Sequence, residues 1–524
     1  MAEKQVAVGG TLAVLMVGAF VTILNQTLLN VALPHMMTDF NISATTAQWL
    51  STAYMLVNGV LIPISAYLIA TLGTKKLFVL AMSIFTIGSV VCAIAPNFSV
   101  MLLGRVLQAC GAGIMMPLIM SVFLTVFPPE KRGTAMGSIG IVMIFAPAVG
   151  PTLAGWIVQN YTWRILFIMV VPLGLLSVAL GFRFIANIIK PSFPKFDGWG
   201  AVTSTLGFGG LLYGFSEAGS KGWSSFVVIG FLILGAIFTL IFVLRELRVD
   251  QPLLEMRVFQ YNIFTLTTII GAAINLTMFG AMILLPIYLQ NIRGFTPLQS
   301  GLLMLPGALL MGVMSPISGA LFDRIGARPL AIVGLIITAL TTWEFGKLTS
   351  ESTYGHILML YTVRSFGMSL IMMTVQTAGL NQIPQQLSSH ATAMSNTMRQ
   401  ISASIGTALL VTVMSSRTTV HMGDYSNNIT SNQPQIVDML GGLTAAMAAM
   451  AGVPVQAAEP LAISTLYGLA MKEATIKGIN DAFVVATIFA IISLVLSLFI
   501  SNPKKKQAHS LPTAKAELVG EPVK

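Results

Sequence analysis

Apolar residues come in runs of membrane-spanning length along this chain, separated by short polar connections. The runs lie near 11–33, 47–70, 78–95, 99–122, 135–158, 163–186, 199–217, 225–244, 263–289, 298–321, 329–348, 355–379, 392–414 and 481–500. Each predicts an α-helix, because a helix pairs its own backbone groups where lipid offers no partner. One connection, 415–480, is long. Within it Ile436 to Val455 is apolar enough to suggest another span, but it holds Asp438, two adjacent glycines and Pro454. A fifteenth span would also carry Lys504, Lys505 and Lys506 to the opposite side. The expectation is an external helical hairpin, about 434–452 and 459–478, over the outer mouth or in the interface.

Composition agrees with that pattern. Of 524 residues 55% are hydrophobic and 9% charged, with mean hydropathy +0.84. A soluble domain of this size would carry far more charge, so the fold class is all-α, polytopic and membrane-embedded. The net charge of +10 matters less than its placement. With the N-terminus inside, 18 Lys and Arg fall on the inner side and 7 on the outer, while Arg105, Arg364 and Arg399 lie within spans. That bias puts both termini in the cytoplasm. The first run is too long for a cleavable signal and is followed by more spans. Cys92 and Cys110 sit in apolar runs and read as small buried hydrophobes. No GxxxxGK[ST] loop, zinc cluster or nucleophile constellation occurs, so neither enzyme chemistry nor any cofactor or metal is expected. Nothing points to a nucleic-acid partner.

Internal repeats organise the runs. Gly319-x-Leu321-x-Asp323-Arg324-x-Gly326-x-Arg328-Pro329 forms an inner turn. Ala66-x-Leu68-x-Ala70-Thr71-x-Gly73-Thr74-Lys75-Lys76 is its weaker copy, 253 residues earlier. Arg105 with Gly111 recurs as Arg364 with Gly367, and Thr134-Ala135-Met136 as Thr392-Ala393-Met394. These near-equal offsets span eight runs, so two six-helix bundles flank two extra helices, a 6 + 2 + 6 arrangement. The units are 1–190, 191–260, 261–503 with the hairpin at 416–479, and a basic tail at 504–524.

Ile139 to Trp156 reads IGIVMIFAPAVGPTLAGW. Ala146, Gly150 and Ala154 fall four apart and make a stripe of small side chains that admits a close helix neighbour. Pro147 and Pro151 beside it each remove a backbone donor, which predicts a bend. This stretch resembles the antiporter motif of major facilitator exporters, with Ala154 in place of a glycine. The 319–328 turn resembles the same family's hallmark inner loop, and Arg105-Val-Leu-Gln108 with Gly111 its fourth-helix motif. Leu24 to Pro34, Trp163-Arg164 and Glu217 to Trp223 are similar to the fourteen-helix drug/proton antiporters of the QacA and EmrB type. Asn25 stands where that group usually has an aspartate, as in the lincomycin-exporter branch, and Ala66 and Ala70 replace the first loop's glycine and aspartate.

The resemblance implies a secondary exporter of amphipathic drugs, lincosamides and other antimicrobials among them, exchanging them for protons by alternating access. An exporter or flippase of an endogenous lipid or metabolite on the same fold stays open, as does sodium in place of the proton. Partners are then a small amphipathic molecule, protons and the bilayer, with one chain sufficient as a monomer. Intramembrane charge is expensive, so Arg105, Arg364 and Arg399 are candidates for the cavity, together with Gln108 and the first-span amides Asn25, Gln26 and Asn30. Coupling needs a carboxylate, and Glu217, then Asp481 and Glu344, sit at outer span ends. Gating falls to Gly150, Pro147 and Pro151 on the fifth span and to Asp323, Arg324, Gly326 and Arg328 in the second loop.

Overall fold

The computed structural model describes residues 2–42, 44–192, 195–250, 252–428, 434–452 and 454–500. The basic tail 504–524 lies outside them, as do the side chains of Asn30 and Pro151. All regular structure among the described residues is helical. In order these are α1 (Ala2–Phe40), α2 (Ala44–Ala93), α3 (Phe98–Val126), α4 (Arg132–Asn160), α5 (Arg164–Ile168), α6 (Val170–Phe184), α7 (Gly198–Lys221) and α8 (Phe226–Glu246). There follow α9 (Asn262–Ile287), α10 (Pro297–Ile325), α11 (Ala327–Phe345), α12 (Tyr354–Leu380), α13 (Ser388–Asn428), α14 (Pro434–Ala451) and α15 (Val455–Ser497).

Eleven described helices are long and apolar enough to cross a membrane. One of them, running to Ala93, is two spans folded at Gly73, whose φ of +67° only glycine adopts readily. The fold-back is visible on α3, where Gly113 abuts Asn58 while Gly111 abuts Ala81. A straight helix would hold those two residues about 35 Å apart. Gly326, at φ +85°, breaks α10 from α11 in the same way. The two glycines occupy corresponding places in the repeated turn. The expected spans 199–217 and 392–414 are α7 and α13, which are less apolar than the rest, and 163–186 is α5 followed by α6.

The halves pack as the repeats require: α1–α6 contact one another, as do α9–α13 with α15. The inserted pair α7 and α8 pack together and lean on α2 and α13, outside both bundles. Most of α8 faces outward, with Phe226, Ile233 and Leu240 exposed, as a lipid-facing helix requires. The stripe on α4 meets α1. Ala146 and Ala154 are buried, and a Cβ on Gly150 would fall on the Thr27 hydroxyl. The helix runs unbroken from Arg132 to Asn160 through both prolines.

The external hairpin differs from its expected form. Its second arm does not start a separate helix at 459 but is continuous with the last span, from Val455 to Ser497. The helix of span 392–414 likewise runs on to Asn428. At 1.5 Å per residue, α13 and α15 extend about 60 Å and 65 Å, roughly twice the hydrocarbon thickness. α13 has no proline or glycine where lipid would end, and α15 runs on through Gly478 and Pro460. Their projecting parts are clasped by Arg417 and His421 on Asp481, at 2.6 and 2.9 Å, and Lys477 lies 4.9 Å from the Tyr425 ring centre. α14 packs on α15.

Candidate transport cavity and gate

The halves are joined at one end. Asp323, at the end of α10, accepts hydrogen bonds from the backbone N–H of Gly133 and Thr134 at 2.9 Å each, and from the Thr134 hydroxyl at 2.7 Å. Those N–H groups open α4, where the helix has unpaired donors and the positive end of its dipole. The Asp323 carboxylate therefore caps a helix of the opposite bundle. Gly319 and Gly133 make room for this, since a Cβ on Gly319 would strike the Gly133 carbonyl. One turn along each helix, the Ser315 hydroxyl donates to the Gly137 carbonyl at 2.9 Å. Arg132 donates to Asn381 at 3.2 Å, and the Met120 sulfur accepts from Gln376 and Asn396. Arg324 and Arg328 are exposed beside the turn.

The apolar packing has the same asymmetry. The core of the first half runs into Met373, Leu380, Ile383, Ala391 and Met394 of the second at this end. At the other end the second half has its own core around Leu285, Tyr288, Phe345 and Phe483, which includes nothing from the first half. The weaker first turn closes differently. Lys75 N–H donates to Asn187 at 3.0 Å, and the Thr74 hydroxyl accepts from Ile189 at 3.1 Å, so this copy fastens the chain after α6 within its own half.

A cavity lies in the second half between α9, α12 and α13. Its walls include Thr267, Asn275, Met278, Met372, Gln376 and Arg399. The open volume between those walls is about 30 Å³, room for a water or two. Arg399 is the single sequence-expected cavity residue in this wall. Asn25, Gln108, Arg105 and Arg364 do not line it, and Gln26 is half-buried on α1.

Arg105 and its neighbours form an internal network instead. The guanidinium sits 4.2 Å from the Tyr54 ring centre and donates to the Leu50 carbonyl at 3.3 Å and to Gln108 Oε1 at 2.8 Å. Gln108 Nε2 donates to Ser89 at 2.8 Å and reaches Asn25 Oδ1 at 3.4 Å. The aromatic face and the carbonyl compensate the buried cation. Arg364 is less well served: Nε donates to the Thr342 hydroxyl at 3.3 Å, while Nη2 is buried without a partner. In the sequence, the arginines show themselves as costly charges, but Tyr54 and Leu50, two spans before Arg105, do not show themselves as partners.

The three carboxylates expected to carry protons all sit against cations. Glu217 pairs with Lys221 at 2.8 Å, Glu344 with Lys347 at 2.7 Å, and Asp481 with Arg417 and His421. Glu246, the last residue of α8, is fully buried. Its Oε2 accepts from Leu254 N–H at 2.8 Å, and its Oε1 has no partner. A Cβ on Gly200 would lie 2.6 Å from that Oε1 and 2.8 Å from Asp197 Oδ2, so two carboxylates meet over one glycine. Arg245 is committed to Asp197 through bonds of 2.8 and 2.9 Å. Asp197 also caps α7 through Gly200 N–H at 2.9 Å. Burial pushes the Asp197 carboxyl up, but the Arg245 guanidinium and that N–H outweigh it and hold the group below the usual carboxylate range.

The comparisons with known proteins agree with this geometry. The family model for the Major Facilitator Superfamily matches residues 15–407. The chain is 50% identical over 511 residues to the MFS-type transporter YhcA of Bacillus subtilis (strain 168), covering 98% of this chain and 96% of that protein. It is 36% identical over 505 residues to the lincomycin resistance protein LmrB of the same organism, covering 96% and 98%. The solved structure of the human organic anion transporter MFSD10 has the same fold, with a TM-score of 0.63 at 11% identity over 94% of this chain and 99% of that one. With two repeated helical halves closed on each other at one end, and with matches along nearly its whole length, this chain belongs to the Major Facilitator Superfamily, in a branch that includes drug-resistance transporters.

Proposed function

We propose that the protein is a secondary exporter that exchanges amphipathic small molecules, antimicrobials of the lincosamide kind among them, for protons by alternating access. The observation that carries this reading is the Asp323 cap. It is a charged contact between the halves, made at one end of the bundle, and it cannot survive their separation there. Such a contact biases a two-state element. In this reading both termini are cytoplasmic, the Asp323 end faces the cytoplasm, and the Asp323 contacts are those of a closed inner gate. Opening it would admit substrate between the halves and widen the cavity beside Arg399.

Proton carriage falls to a carboxylate that can lose its charge without stranding a cation. Glu217, Glu344 and Asp481 each balance a basic neighbour, whereas Glu246 has an unpartnered oxygen and a second carboxylate beside it. Glu246 therefore heads the four. The test is accumulation of a fluorescent amphiphile, and of labelled lincomycin, in inverted membrane vesicles with and without an imposed pH gradient. The reading expects accumulation that collapses when an ionophore dissipates the gradient. Equal accumulation in vesicles lacking the protein would refute it.

A further inference from the structure

Arg399 is a cation in a cavity wall that contains no carboxylate. Its one recorded hydrogen bond, from Nη1 to Gln376 Oε1, is 3.5 Å long. No ion pair to it occurs among the described residues, in contrast to Arg164, Arg245, Arg257 and Arg417, which all have acidic partners. Nor, among the described residues, does an aromatic ring cover it, as Tyr54 covers Arg105. Arg399 is half-buried in its span, and an intramembrane guanidinium with no anionic partner is costly and marks a substrate pathway. A second polar group in the same wall is also unsatisfied. Asn275 spends its Nδ2 on the Gly271 carbonyl at 2.7 Å, leaving its Oδ1 buried without a donor. Thr267, Thr268 and Ser395 add hydroxyls to the wall, and its apolar part, Met278, Met372, Ile274 and Val375, is adaptable.

From these features we infer that the cavity selects amphiphiles bearing one anionic group, a carboxylate, sulfonate or phosphate, over cationic ones. The anion pairs with the Arg399 guanidinium, a donor on the ligand meets Asn275 Oδ1, and the apolar body lies along the methionines. The inference rests on the exporter reading and narrows its substrate class. A lincosamide enters this site as the neutral base.

A charge series on one scaffold tests it. The probes are 11-(dansylamino)undecanoic acid, its methyl ester and the trimethylammonium analogue of the same chain length. Binding to the purified full chain in nanodiscs of zwitterionic lipid is read from dansyl fluorescence. The wild-type protein should bind the acid about tenfold or more tighter than the ester, the effect of one charge-assisted hydrogen bond, with the ammonium weakest. Arg399→Gln should weaken the acid far more than the ester and level the two, while Arg399→Lys keeps most of the preference. An acid preference that survives Arg399→Gln, or a wild-type protein that favours the ammonium, overturns the inference. The wild-type series decides the matter even if a variant does not fold. Transport is read separately: selective binding of the acid with no movement into inverted vesicles would sink the exporter reading and leave this assignment standing.

Discussion

Replacing Asp323 by Asn should shift the balance between closed and open at the Asp323 end. The aspartate accepts three hydrogen bonds, of 2.9, 2.9 and 2.7 Å, from the first turn of α4. Asparagine keeps the shape and one acceptor, but loses the charge and puts an amide nitrogen against donors. Hydrogen bonds to an ionised group are worth about 1.5–3 kcal/mol and neutral ones about 1. The attraction of the carboxylate to the helix dipole adds about 0.3–1 kcal/mol. Because the Thr134 bonds are near the surface, the low end applies, and the net loss is about 1.5 kcal/mol, or roughly tenfold in the closed-to-open ratio. Spin labels at Glu130→Cys and Arg328→Cys, in a background lacking Cys92 and Cys110, report that ratio by double electron–electron resonance. The longer-distance population should grow, transport should fall, and binding should change little. A distance distribution identical to that of the wild type would refute the gating argument, and equal loss of binding and transport would point to misfolding.

Three further outcomes are expected. Gly150→Leu forces a side chain onto Thr27, an overpacking that costs about 1–3 kcal/mol; the variant should insert and transport poorly, and normal transport would show that α1 and α4 need no close approach. Glu246→Gln should abolish gradient-driven export but leave exchange down a substrate gradient, while Glu217→Gln, which breaks the pair with Lys221, should keep coupling; the reverse pattern in proteoliposomes would move the proton to Glu217. Asp197→Asn weakens the α7 cap and strands Arg245, costing about 1–2 kcal/mol. Since the Asp197 carboxyl is held below its usual range when folded, its contribution is present above the ordinary carboxylate pKa and lost as pH falls through the lower folded one. Thermal unfolding in detergent should therefore show the wild-type advantage at pH 7 and not in strong acid.

The spans and the duplication were legible because each rests on local pattern. Periodic apolar length gives the helices, and the 253-residue offset places Gly73 and Gly326 at the same break with the same sign of φ. The small-residue stripe announced a close neighbour, though only packing shows that it is α1. The continuity of α15 had no local signature, since the helix runs on through Pro460 and Gly478, but α13 had one, the lack of any proline after its span. So did Glu217 with Lys221 and Glu344 with Lys347, whose spacings of four and three residues put them on one helix face. Other features have no local signature. Asp323 meets an α4 terminus 190 residues away, and Asp481 meets Arg417 at a distance of 64 residues. The placement of Arg105 in a sealed network and Arg399 in a cavity wall follows from which neighbours carry Tyr54 or Gln376, which intramembrane cost alone does not distinguish.

The central claim is exchange, and it is tested most directly by following both fluxes at once. The purified protein is reconstituted in liposomes that enclose a pH-sensitive dye and hold an imposed proton gradient, and a labelled amphiphilic substrate is added outside. The account predicts that substrate entry and proton exit start together and keep a constant ratio as substrate concentration is raised, and that Glu246→Gln loses proton exit and accumulation against the substrate gradient while keeping downhill movement. Substrate entry with no accompanying proton exit, or at a rate indifferent to the gradient, would contradict it.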